Sequence, residues 1–222
     1  MNYELLKEVL DLLQAFEKQK SVRYEKNVAG FKSWIAAQAD RNDLSNAPDW
    51  EGKEEGRSPE SAISTLLLRL NRYAKAYSKA AILGSDFSTQ EDFIYLITLN
   101  VHGAMTKMEL IKRNVQEKPA GMQIINRLIA AGWIQQTDSE TDRRSKVLSL
   151  TTKGRETLEA QMSQIRQATQ AVSGNLTPEE KNDLIGLLSK LDEFHNPIYC
   201  QNIKPEMLLD TVLQNQNKLP RP

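Results

Sequence analysis

The 222-residue chain has one cysteine, two histidines and equal numbers of basic and acidic residues, 29 of each. Each scarcity excludes something. A single Cys200 rules out an intrachain disulfide framework and suggests a reducing compartment. His102 and His195 stand far apart, and no His/Cys/carboxylate cluster has zinc spacing, so no metal is expected. Ser-His-Asp spacing, a phosphate-binding loop and a dinucleotide glycine pattern are all missing, so no catalytic residues, no cofactor and no enzyme are expected. No apolar run approaches the roughly 20 residues that cross a bilayer. The start, Met1-Asn2-Tyr3-Glu4, lacks the basic-then-apolar order of a signal peptide. The expectation is a cytoplasmic protein with no membrane partner.

What is present is mainly helical. Hydrophobic residues make up 40% of the chain, enough for a real core. Leu5, Leu6, Val9, Leu10, Leu13 and Phe16 form a stripe over 4–20, and Tyr24 to Ile35 predict a second helix to about Gln38. Asp40 to Arg57 reads as a linker or long loop. Ser58-Pro59-Glu60 starts a helix that stops near Gly84. Capping boxes are read at Ser88–Glu91, Thr106–Glu109 and Thr177–Glu180. A helix from Lys118-Pro119 ends at Gly132. The period then becomes extended over Trp133 to Gln136 and Ser145 to Leu150, with a polar loop between. Thr152 is the expected cap of the next helix. The helix from Thr177 is expected to end near His195, with one more over 205–214.

Three short helices and then a two-stranded hairpin, over 88–151, is the order of a winged helix-turn-helix. The fold class is therefore mainly α with a small β-hairpin wing. Charge agrees with that order. Between Ala104 and Arg155 there are ten cations and five anions, a local +5, leaving −5 elsewhere. The helix before the hairpin is expected to expose Lys118, Met122, Gln123, Asn126 and Arg127. Gln and Asn suit adenine edges, while Lys and Arg suit guanine or phosphate. The small residues Pro119-Ala120-Gly121 would let backbone N–H groups approach phosphate. Arg143, Arg144 and Lys146 are either solvated loop cations or stand opposite something negative.

The run from Ser88 to Leu158 resembles the MarR family of bacterial transcription regulators. The resemblance rests on Arg127-Leu128 with Gly132-Trp133-Ile134, on Asp142-Arg143-Arg144, and on Leu150-Thr151 with Gly154-Arg155. It covers about Ser58 to His195. It implies a homodimer that places two winged domains on a pseudo-palindromic operator of double-stranded DNA, most simply as a repressor. It also implies that Arg144 enters the minor groove, that Asp142 orients the wing, and that a small aromatic or phenolic effector weakens binding. Residues 88–154 then form the DNA-binding domain, and residues 58–87 with 155–222 a helical dimerisation region. Residues 1–57, an N-terminal helical extension and linker, depart from the family pattern. They enlarge the dimer interface, cover a ligand cavity or recruit another protein. The alternative function is a winged-helix protein-interaction module without DNA binding. Cys200 is either an incidental thiol or an oxidant sensor, and nothing nearby in sequence clearly lowers its pKa.

Overall fold

The computed structural model describes residues 3–18, 24–43, 48–138 and 146–218. Helices α1 (Tyr3–Lys18), α2 (Val28–Asp43) and α3 (Pro59–Ala81) come first. They are followed by α4 (Gln90–His102), strand β1 (Met105–Thr106), α5 (Lys107–Arg113) and α6 (Lys118–Ala130). Strands β2 (Ile134–Asp138) and β3 (Lys146–Leu150) precede α7 (Thr152–Ser173), α8 (Pro178–Cys200) and α9 (Pro205–Lys218). The chain divides into two compact units, Met1–Thr65 and Leu66–Pro222, within α3.

In the first unit, α1 and α2 meet through rings. Phe16 lies 5.3 Å from Phe31 and 5.5 Å from Trp34, centroid to centroid. Phe16 and Trp34 are buried, and such tilted pairs add to ordinary apolar burial. Of the stretch expected as a linker, residues 40–43 continue α2, and 48–57 fold locally. Trp50 Nε1 donates to the Arg57 carbonyl at 2.8 Å, and Arg57 Nη2 donates to Thr65 Oγ1 at 2.8 Å.

The second unit holds the main core. Tyr95, Leu96, Leu110, Ile111, Ile125, Leu128 and Leu148 are almost completely buried, with Leu158 and Ile165 of α7 in the same cluster. The expected two-stranded hairpin is a three-stranded antiparallel sheet in the order β1-β3-β2. Met105 pairs with Leu148 and Thr106 with Val147, while β2 pairs with β3 from Ile134↔Leu150 to Asp138↔Lys146. A two-residue strand carries no alternation that sequence can reveal.

Capping sets most helix starts. Glu109 accepts from Thr106 N–H at 2.7 Å while Thr106 Oγ1 accepts from Glu109 N–H at 3.2 Å, and Thr177 and Glu180 repeat the arrangement. Two starts are shifted by one residue. At α4 the acceptor is Asp92, whose Oδ2 takes the N–H groups of Ser88 and Thr89 at 2.8 and 3.0 Å. At α7 the cap is Thr151, which accepts from Gly154 N–H at 3.0 Å. The hydroxyl of Thr151 is also shared between the carbonyls of Gly132 and Trp133, at 2.8 and 3.0 Å. A Cβ on Gly154 would stand 2.1 Å from the Trp133 carbonyl oxygen, which explains glycine at this exit. α8 runs past the expected end at His195, through Pro197, to Cys200.

Candidate nucleic-acid interface

α6 lies against α4 and α5 with Ile124, Ile125 and Leu128 inward. Pro119, Gln123, Asn126 and Ala130 recur at i, i+4, i+7 and i+11, so they share the opposite, exposed face. Two of the residues expected to read a groove, Gln123 and Asn126, are therefore in solvent on one side of the helix, and a third, Lys118, is exposed at its first residue. Lys146 is exposed at the start of β3. Asp142, Arg143 and Arg144 lie outside the described residues.

Three expectations for α6 are corrected. Met122 is half-buried and packs against the core, because its spacing places it on the side of Ile125 and Ile129. Gly121 is buried, not turned outward: a Cβ there would lie 2.5 Å from Ile111 Cγ1 and 3.0 Å from Tyr95 Oη. Its missing side chain lets α6 sit close on α4 and α5. Arg127 is not a free major-groove cation. Its Nε and Nη2 donate to Asp92 Oδ1 at 2.9 and 2.5 Å, and Nη2 also donates to Thr89 Oγ1 at 3.2 Å. Asp92 is fully buried, and a buried carboxylate without a cation is strongly destabilising. Arg127 therefore ties the second half of α6 to the first turn of α4.

The start of α6 is tied to the same turn. Gln116 Nε2 donates to Glu91 Oε2 at 3.1 Å. Sequence reasoning missed Asp92 and Gln116, although Asp92 stands three residues after Thr89, at the spacing of a capping box, and it gave Glu91 the capping role that Asp92 takes. A cavity of about 310 Å³ opens on this turn, lined by Lys75, Lys79, Ile82, Ser88, Thr89, Gln90 and Glu91. At the other end of α6, Gly132 takes a left-handed φ of 72° and Lys153 Nζ donates to the Ala131 carbonyl at 2.9 Å. Among the described residues no group of three or more His, Cys, Asp or Glu is arranged to hold a metal ion.

The stretch from α4 through β2 lies within a match to the MarR family model over residues 85–145, which ends just before β3. Over that span the chain is similar to the MarR family. MarR family proteins are transcription regulators, not enzymes. Among curated MarR-type relatives, the HTH-type transcriptional repressor NicR of Pseudomonas putida is 30% identical over 103 residues, 46% of this chain and 65% of NicR. The HTH-type transcriptional regulator BilQ of Clostridium symbiosum is 33% identical over 76 residues, 34% of this chain and 53% of BilQ. The chain thus matches less than two thirds of the length of these relatives. Among solved structures, Bordetella bronchiseptica BpsR, whose DNA binding is regulated by 6-hydroxynicotinic acid, superposes with a TM-score of 0.56 at 26% identity. That match covers 61% of this chain and 96% of BpsR. Residues 1–57 lie outside the family-model match.

Proposed function

We propose that this protein is a DNA-binding transcription regulator, acting in the cytoplasm as a homodimeric repressor on a pseudo-palindromic operator. The observation that carries the reading is the exposed face of α6. Gln123 and Asn126 point away from the core, and Lys118 is exposed at the start, on a helix whose two ends are both tied to α4. A pre-positioned helix loses little freedom on entering a groove. Gln123 and Asn126 then read bases, Lys118 contacts phosphate, and Arg127 works from behind by holding the helix. Arg143, Arg144 and Lys146 supply the wing's cations, with Arg144 in the minor groove and Asp142 orienting it. Neither Met122 nor Arg127 is assigned a base contact.

Dimerisation is supported by apolar side chains left in solvent. Leu66, Tyr73 and Tyr77 of α3, Leu187 and Leu191 of α8, and Leu209 of α9 are all more than a third exposed. Among the described residues no helix is long and apolar enough to cross a membrane, so these faces are better covered by a second subunit. A small aromatic effector is supported by the largely apolar cavity beside the first turn of α4, with Lys75 and Lys79 among its lining residues. BpsR responds to a hydroxylated aromatic acid, and NicR is a repressor. A ligand there would weaken DNA binding by favouring one spacing of the two recognition helices.

The deciding experiment is selection from a random duplex pool with the purified full chain, followed by sequencing. Enrichment of a two-fold-related motif is expected. No enrichment at low salt would overturn the proposal in favour of a module that binds only protein.

A further inference from the structure

The last turn of α8 reaches the turn that begins the recognition helix. Tyr199 Oη donates to the main-chain carbonyl of Gln116 at 2.7 Å. Lys112 Nζ, near the end of α5, donates to the Cys200 carbonyl at 3.5 Å, and Ile198 between these contacts and the rest of α8 is buried. Gln116 is already held on two other sides. Its N–H donates to the Ile111 carbonyl at 3.2 Å, and its side chain reaches Glu91. One residue therefore gathers α4, α5 and α8 immediately before Lys118.

The backbone beside it is strained. Val115 has φ 49°, a left-handed conformation that β-branched residues rarely adopt. Its side chain is mostly in solvent, so no packing of its own repays the conformation. Such a residue persists only where its surroundings over-determine it. The contacts on Gln116 are those surroundings. Burial, and then the Glu117 carboxylate, raise the Tyr199 pKa, so the phenol keeps the proton it donates.

We propose that Tyr199 is a positioning residue for DNA recognition: from the end of α8 its hydroxyl clamps the strained Val115–Gln116 turn and so fixes where α6 starts. α8 also carries an apolar face assigned above to the dimer, so the helix that meets the partner holds the helix that meets DNA. Tyr199 touches no DNA in this scheme. The effect on DNA binding rests on the proposed function, whereas the effect on the turn does not.

The test combines Tyr199→Phe, which removes only the hydroxyl, with Val115→Gly, which accepts φ 49° without strain. In the full-length protein, Tyr199→Phe is expected to speed amide hydrogen exchange over residues 115–121 by about five-fold and to weaken operator binding by a similar factor, the value of one hydrogen bond. In the Val115→Gly background, where the turn no longer needs the clamp, both effects should fall below about two-fold. Equal effects in the two backgrounds would make Tyr199 an ordinary packing residue and overturn the proposal. So would unchanged exchange in Tyr199→Phe, or faster exchange with unchanged operator affinity. If the wild type selects no DNA, the proposed function fails on that result, and the exchange comparison alone decides whether the clamp exists.

Discussion

Arg127 and Asp92, thirty-five residues apart, form a two-point ion pair in which the carboxylate is fully buried and the guanidinium side chain is 36% exposed. The pair converts a residue of the recognition helix into a strut. Arg127→Met leaves the carboxylate buried without a cation and should destabilise the protein by about 3–5 kcal/mol. Arg127→Lys, which keeps charge without the fork, should fall in between. Urea unfolding measures both. A loss under about 0.5 kcal/mol, together with a lower salt slope of DNA binding, would return Arg127 to the DNA.

Glycine substitutions separate close packing from open helix. Gly154→Ala drives a Cβ against the fixed Trp133 carbonyl and should cost about 3 kcal/mol or more. Gly121→Ala meets the Ile111 side chain, which can shift, and should cost about 1–3 kcal/mol. Nothing lies within 4 Å of a Cβ at Gly186, in α8, so Gly186→Ala should stabilise by about 0.5–1 kcal/mol. Thermal or urea unfolding of the three variants gives the order.

The DNA-facing residues are expected to differ in kind. Lys118→Ala and Arg144→Ala should each weaken binding on every sequence and reduce the salt slope by about one. Gln123→Ala should instead relax preference at one base position, at about 1–3 kcal/mol of discrimination. Anisotropy titrations over several salt concentrations, with operator and mismatched duplexes, tell the two behaviours apart.

Glu109 makes stability depend on acid. The hydrogen bonds it accepts from Thr106, backbone first and then side chain, lower its pKa below 4.5. A carboxyl with a depressed folded pKa contributes stability that is present above its unfolded value and lost as pH falls through its folded value. Glu109→Gln should therefore flatten the acid limb of stability below about pH 4.5 and change its slope little near pH 7. Urea unfolding at pH 3, 4, 5 and 7 measures it.

Tyr95 works at the other limb. Burial, followed by the Glu91 carboxylate, pushes its phenol up from 10.0 to about 12. A neutral acid with a raised folded pKa contributes stability that is complete below pH 10 and lost as pH rises to about 12. Among the described residues no group bonds to its buried hydroxyl. Tyr95→Phe should thus raise stability at pH 7 by about 1 kcal/mol and reduce the alkaline loss. Unfolding followed at pH 7 and pH 11 checks both signs.

Features that rest on near neighbours along the chain are legible before any folding is considered. Thr106 with Glu109 and Thr177 with Glu180 are three residues apart, so those helix starts were readable as capping boxes. The same holds for the apolar stripes, the helix-helix-helix-hairpin order and the local surplus of positive charge, all of which are properties of adjacent residues. The remaining features depend on residues distant in the chain. Whether Arg127 is free depends on Asp92, 35 positions away, and whether the turn before α6 is clamped depends on Tyr199, 83 positions from Gln116. Gly121 looks like any residue of a polar helix face until Ile111 and Tyr95 are placed behind it. Hydrogen-bond partners and packing distances of that kind exist only after the chain has folded back on itself, so periodicity and spacing carry no trace of them.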